Sequence, residues 1–394
     1  MGKQWKLFLR THWKSGLSCV CGTVILSGFV ILGGAYWLTD GQPVSFFHFL
    51  QNYRLVKNNY FRPINEEALW QGASKGMLAS LEDPYSSILA GDTYNSFMET
   101  TNGEYGGIGV VMGLDADGFI RIFNVFEGSA AEKAGIRNGD IILSVDGTDV
   151  NDLGLTGTAQ AVRGENGTEV NLSIAREKKT LDFAVKRSNV SLPTVLSRMV
   201  DDHIGYIHIF TFSRHTPEEF KKQLSSLKDQ GCEKLIIDLR MNPGGMIDSV
   251  VNVADQILTG GTVVSYHTRH QGSENFTIKG IENPMPMAVL IDRNSASAAE
   301  ILAGAVQDKK EGIIIGETSY GKGTVQAVYP DGDREALKIS IAEYRTAAGR
   351  IIDKKGIVPD IPVKQTGHPF ILSSDTVFQK AVDVLKKEGN RDET

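Results

Sequence analysis

Past Asn189 the chain alternates between short apolar runs and helical text, and this alternation constrains its fold more than any other feature. Strand-like runs fall at Ile204–Phe212, Lys234–Leu239, Thr262–His267, Met287–Ile291 and Ile313–Gly316, and helices are expected over Pro217–Asp229, Met246–Leu258 and Ala296–Gln307. Strands that hand the chain to helices in this way build an α/β core, here over 189–363. Two β-like runs, Thr324–Tyr329 and Ala336–Thr346, follow, and a tail over 364–394 carries an amphipathic helix near Asp375–Lys387. With 394 residues the chain has room for two or three domains.

Lys3, Lys6, Arg10 and Lys14 precede a stretch, Ser15–Thr39, with no charged residue. Leu17–Leu38 is apolar enough to cross a bilayer core of about 30 Å at about 1.5 Å per residue. Residues 15–38 are therefore expected to form a transmembrane signal-anchor helix. The basic segment 1–14 would stay in the cytoplasm and the rest would lie outside, at the cell membrane. A cleaved signal peptide is the rival reading, but the run is long for one. Gly34-Ala35-Tyr36-Trp37 also offers interface aromatics in place of a good A-x-A site.

The 41 basic and 47 acidic residues give a net charge of −6, which supplies no pull toward nucleic acid. Cys19 and Cys21 lie in the apolar stretch and leave Cys232 alone, so no intrachain disulfide is expected outside it. Residues 44–100 read as helical. Within them Leu69, Ala73, Met77 and Leu81 share one face of a helix over Asn65–Leu81, which could dock within the fold or in a homodimer.

Residues 103–188 read as short strands separated by glycine turns: Val110–Met112, Phe119–Phe126, Asp140–Val145, Glu169–Ala175 and Leu181–Lys186, with helices at Ala130–Ala134 and Leu155–Val162. Tyr105-Gly106-Gly107-Ile108-Gly109-Val110, then Gly128–Ile136, then Gly139–Gly147, resemble in that order a PDZ domain. Successive glycines let backbone N–H groups converge on a carboxylate. Gly106, Gly107, Ile108 and Gly109 are thus expected to hold the C-terminus of a peptide that pairs with the neighbouring strand. Taken alone, Gly-Gly-Ile-Gly would be no more than a turn.

Two windows of the α/β part could carry chemistry. In Asp292-Arg293-Asn294-Ser295-Ala296-Ser297-Ala298-Ala299-Glu300 a serine stands where a strand turns into a helix, whose N-terminus favours developing negative charge. An N-capping serine would look the same. In the second window, Gly316-x-x-x-x-Gly321-Lys322 imitates a P-loop. Gly323 stands where Ser or Thr should hold magnesium, however, and β-like text follows where a helix should open, so an ATPase is set aside. Serine and lysine together explain both windows, because a lysine kept from water can lose its proton and serve as base to a hydroxyl. No histidine stands in a triad motif, and His267-x-x-His270 lacks further metal ligands. No metal, nucleotide or other cofactor is expected.

Ser297-Ala298-Ala299-Glu300-Ile301-Leu302-Ala303-Gly304-Ala305, followed by Tyr320-Gly321-Lys322-Gly323-Thr324-Val325-Gln326, resembles the carboxyl-terminal processing peptidases, or tail-specific proteases. The resemblance runs from about Tyr53 to Val363 and takes in Leu81–Ser86, the PDZ-like module, Asp238–Gly245 and Gly356–Ile361. It implies a PDZ domain inserted between an N-terminal helical segment and an α/β serine-peptidase core. It also implies that Ser297, not Ser295, is the nucleophile, that Lys322 is the general base and that Gln326 helps orient the lysine. Gly245, in the turn Asn242-Pro243-Gly244-Gly245, and Ala298 would supply the oxyanion donors, although which glycine donates is left open. Asp308 matches an acidic position of the family but stands about 16 Å along the helix from Ser297, which leaves it a supporting role. The family further suggests gating by the PDZ domain, with Arg163 either in the gate or a solvated surface residue. The expected protein is a membrane-anchored, extracytoplasmic serine endopeptidase for exported proteins with unstructured or C-terminal tails. A PDZ adaptor without catalysis is the alternative, and the presence of both Ser297 and Lys322 speaks against it.

Overall fold

The computed structural model describes residues 39–366 and 374–388, save 116, 127, 178, 192, 271, 333 and 334, together with 30 and 32–37. The chain divides into two compact units, one ending at Glu82 and the other beginning at Asp83. In the first, helix α1 (Pro43–Asn59) opens on a proline, and α2 (Glu66–Ala79) is capped by the Asn65 side chain, which accepts the Ala68 N–H. Tyr53 stacks on Trp70 with ring centres 4.5 Å apart, and Glu66 accepts the Tyr53 hydroxyl while pairing with Lys57. Met77, on the apolar face expected for α2, is exposed. Among the described residues no helix is long and apolar enough to cross a membrane. Most of the expected anchor, 15–38, lies outside those residues.

The second unit begins with β1 (Ser87–Ala90) and α3 (Asp92–Asn102), so the helical text expected over 44–100 is interrupted by a strand. Its partner is far away in sequence, Ser87 pairing with Lys338 and Ala90 with Glu335, which no local periodicity reveals. After β2 (Glu104–Gly107), a sheet forms from β3 (Val110–Leu114), β4 (Ile120–Val125), β5 (Ile141–Val145), β7 (Glu169–Arg176) and β8 (Lys179–Lys186), with β6 (Thr148–Asp149) beside β5. Helices α4 (Ala130–Ala134) and α5 (Val150–Val162) pack with it around Ile122, Ile142, Leu172, Ile174 and Val185. Helix α5 starts earlier than its periodicity suggests, because Asp149 caps it and Gly154 (φ 64°) takes up a kink. Strand β9 (Ser188–Ser191) returns to β2, Gly106 facing Asn189. Among the described residues strand β3 bonds β4 alone, which leaves it an open edge.

The α/β core is a sheet in the order β10 (Val195–Met199), β11 (Ile204–Ile209), β12 (Lys234–Asp238), β15 (Met287–Ile291), β16 (Ile313–Gly316), β19 (Ile361–Pro362), parallel except at β10. Alternate residues serve opposite faces. Leu235, Ile237, Val289 and Ile291 pack with α6 (Thr216–Asp229), α7 (Ile247–Ala254) and α8 (Ala298–Lys309), whereas Ile236, Ala288 and Leu290 pack with α9 (Thr376–Glu388). A second sheet holds the hairpin β13 (Thr259–Thr268) and β14 (Gly272–Gly280), with β17 (Thr324–Pro330), β18 (Glu335–Thr346) and β1.

Helix α9 is clamped to the sheet by charge. Arg240, just past β12, donates to Asp238 and, through Nη1 and Nη2 at 2.8 and 2.7 Å, to both carboxylate oxygens of Asp375. All three side chains are buried, and Asp375 also accepts the Phe378 N–H at the start of α9. Removing one member of such a cluster leaves buried charge uncompensated. Asp375→Ala is expected to lower stability by about 3 kcal/mol, read as a lower urea midpoint at unchanged slope.

Candidate active site

Strands β12, β15 and β16 are parallel neighbours, so the segments leaving their carboxyl ends emerge side by side. These are the turn 242–245, the turn into α8, and the loop 317–323. The turn into α8 is held by Ser295, which is buried. Its hydroxyl donates to the Leu239 carbonyl at 2.8 Å and accepts the Asp292 N–H at 2.9 Å. Ser297, two residues on, is half-buried and adopts φ 53°, ψ −115°, a conformation uncommon for a residue with a side chain. Its N–H donates to Glu300 Oε2 at 2.8 Å and its carbonyl accepts the Tyr344 hydroxyl at 3.2 Å.

Glu300 is wholly buried and joins the two windows singled out in the sequence. Its Oε1 accepts the Ser319 hydroxyl at 2.6 Å and the Gly321 N–H at 2.7 Å. Its Oε2 accepts the Lys322 N–H at 2.9 Å beside that of Ser297. One oxygen thus holds the backbones of Ser297 and Lys322 together. Burial pushes the Glu300 carboxyl above its usual range, and the four donors pull it back. The Lys322 side chain is half-buried, with Nζ 4.9 Å from the centre of the Tyr85 ring. Burial, and after it the charge of Lys338, lower its pKa, while Glu300 and Asp83 act against them. Gly321 (φ 85°) has no room for a side chain, since a Cβ there would stand 2.9 Å from the backbone nitrogens of Lys355 and Gly356.

In the turn after β12 the Gly244 N–H is taken by Asn242 Oδ1 at 2.8 Å. Gly245 is exposed and its N–H has no acceptor among the described residues; the N–H of Ala298, a buried residue at the start of α8, has none there either. A Cβ on Gly244 would lie 2.7 Å from Ser297 Cβ and 2.9 Å from Ala298 N, so the turn sits directly against both. Gln326 lies on β17, and its amide nitrogen donates to Thr324 and Ser340; no bond to Lys322 is formed. Asp308 accepts the Ala348 N–H at 2.6 Å and pairs with Arg350, tying the end of α8 to the turn after β18.

The four residues of the Gly-Gly-Ile-Gly motif come together with Arg163 in a separate cavity of about 280 Å³. It is lined by residues 106–112 with Ala159, Val162 and Arg163, between the open edge of β3 and the last turn of α5. Gly106 and Gly109 are required by packing, a Cβ meeting Gly164 O at 2.2 Å or Ser129 Cβ at 2.4 Å, whereas Gly107 faces open space.

Sequence reasoning missed Glu300 as a structural hub, although Ser297-x-x-Glu300 has the spacing of a capping box. It placed Tyr85 and Asn242 in family-like motifs without a role, and missed Ser319 and Tyr344, whose partners lie far off in the chain. Glu300→Gln would turn an amide N–H₂ toward donors that need an acceptor. It is expected to cost about 3 kcal/mol in urea unfolding, against about 1 kcal/mol for Ser319→Ala. Equal costs would show that the carboxylate is not what holds the loop.

Comparison with known proteins fits this architecture. Residues 203–363 match the model of peptidase family S41, 122–176 match a PDZ domain, and 40–93 match the N-terminal domain of the activating protease CtpB. The carboxy-terminal processing protease CtpB of Bacillus subtilis is 38% identical over 323 residues, which cover 80% of this chain and 67% of that one. The carboxyl-terminal-processing protease of Synechocystis is 31% identical over 414 residues, covering 98% and 95%. Among solved structures, the photosystem II D1 C-terminal processing protease superposes with a TM-score of 0.51 at 28% identity, over 84% of this chain and 96% of that one. The chain is a serine peptidase of family S41 and belongs to the carboxyl-terminal processing proteases, with a PDZ domain ahead of its peptidase fold.

Proposed function

We propose that the protein is a membrane-anchored, extracytoplasmic endopeptidase that works through a Ser297–Lys322 dyad on proteins with free or unstructured C-terminal tails. The observation that carries this reading is the shared Glu300 oxygen, which draws a strained serine and a half-buried lysine into one site against a glycine turn with a free N–H. Neutral Lys322 takes the proton of the Ser297 hydroxyl, and the alkoxide oxygen attacks the peptide carbonyl. The N–H groups of Gly245 and Ala298 receive the negative charge that develops on the carbonyl oxygen. The protonated lysine returns its proton to the leaving amine, and water, activated by the same amine, releases the acyl group. Gln326 acts on the base indirectly, by bracing Ser340, and Asp308 supports the far end of α8. The cavity beside β3 takes the substrate tail as an added strand, its carboxylate against the Gly106–Gly109 turn and Arg163 at its margin. The apolar segment 15–38 supplies the anchor.

Ser297→Ala is expected to reduce cleavage of an unfolded protein such as casein by about 10⁴-fold or more without loss of folding, while Ser295→Ala keeps its turnover at reduced stability. Lys322→Arg should be as inactive as Lys322→Ala, because arginine does not give up its proton. Near-normal turnover in that variant would leave Lys322 as a charge and not a base. Because burial lowers the lysine pKa, wild-type activity should rise with pH as the amine becomes neutral.

Gly107→Asp, at the one glycine of the motif with space around it, should abolish binding of peptides with a free apolar C-terminus to the Ser297→Ala protein. Calorimetry should also show weaker binding of the amidated peptide. Equal affinity for the free and amidated forms would rule out carboxylate recognition.

A further inference from the structure

The turn Asp83-Pro84-Tyr85-Ser86 has no part in the steps above, yet it lies on the base. The Lys322 amine stands 4.9 Å from the centre of the Tyr85 ring. The turn that carries the ring is tied at several points. The Tyr85 N–H donates to Asp83 Oδ1 at 3.0 Å, and the Ser86 hydroxyl bonds the other Asp83 oxygen while accepting the Ser340 N–H at 3.0 Å. The Ser340 hydroxyl in turn accepts from Gln326 at 3.1 Å. Tyr320, two residues before the lysine, is a neighbour of the Tyr85 phenol and raises its pKa. Strand β1, leaving this turn, and β17, leaving the lysine loop, both pair with β18, so ring and amine are carried by one sheet.

We propose that Tyr85 is a positioning residue for the base: its ring covers the Lys322 amine, keeps water from it and fixes its direction, with the Ser86–Ser340–Gln326 chain as the brace. This rests on the reading of Lys322 as general base.

Two effects of the ring oppose each other. Its face attracts an ammonium ion, whereas excluding water disfavours one. Burial is the leading cause of the lowered Lys322 pKa, and the ring's share of that burial is what Tyr85→Ala would remove. Of the other groups around the amine, Lys338 of β18 also favours the neutral form, and Glu300 of α8 and Asp83 favour the charged one. Asp353, which accepts the Gly323 N–H, adds its charge to the environment of Tyr85. The Tyr85 phenol is itself pushed up to about 12, first by burial and then by Tyr320, so it stays neutral while the lysine titrates.

The test is kcat/KM against pH for the full chain on casein. Tyr85→Phe keeps the ring and should follow the wild-type profile. Tyr85→Ala should move the rising limb up by about one pH unit, giving about tenfold lower activity at pH 7 that recovers at high pH, with kcat and not KM carrying the loss. Ser86→Ala, which frees the turn but keeps the ring, should move it the same way by less. An unmoved or lowered limb in Tyr85→Ala, a loss uniform across pH, or a Phe variant that behaves like the Ala variant overturns the proposal. If Tyr85→Ala does not fold, the Ser86→Ala limb decides, and its failure to move is equally fatal. Lys322→Arg separates the two readings: activity there removes the base itself. An inactive Lys322→Arg beside an unmoved Tyr85→Ala limb removes only the role of Tyr85.

Discussion

A single buried carboxylate holds this site together. Glu300 accepts four hydrogen bonds, three from backbone N–H groups and one from Ser319, and its donors come from both ends of a gap of some two dozen residues. A carboxyl group this deeply buried is tolerable only because donors are aimed at both of its oxygens. In return it fixes the strained conformation of Ser297 and the path of the loop that carries Lys322. Without it, the two segments would still leave neighbouring strands side by side, but their backbones would share no acceptor.

The sheet supplies the rest of the arrangement. Three parallel strands deliver three loops to one edge, and each loop brings a different chemical part: a glycine turn with a spare N–H, a serine at a helix start, and a lysine. The turn is pinned by Asn242, which spends its side chain on the Gly244 N–H and the Ile209 carbonyl. That consumption leaves Gly245 as the glycine with a free donor, a distinction of geometry between two chemically identical residues. The Arg240 clamp immediately before the turn ties the same strand end to the C-terminal helix.

Much of this was legible beforehand. Strands β15 and β16 and helix α4 fall at the expected residues because each is a short apolar run or a capped segment bounded by glycine. The motif residues Ser297, Lys322 and Gly106–Gly109 stood out because special backbone conformations demand particular residue types. Strands β1, β9, β10 and β14 were not visible, since each gains its identity from a partner outside its own window. Gln326, expected to help orient the lysine, donates to Thr324 and Ser340, and which side chains meet across β17 and β18 depends on register.

By itself, then, the sequence determined the α/β core, the glycine-rich module ahead of it and the residue types able to do acyl-transfer chemistry, because periodicity and glycine placement are local consequences of backbone sterics. Only the tertiary structure decided which atoms meet: that Glu300 joins the serine and lysine loops, that Gly245 and not Gly244 keeps a free N–H, and that Tyr85 covers the amine. Those are contacts between residues far apart in the chain, set by strand order and register, and no local pattern encodes them.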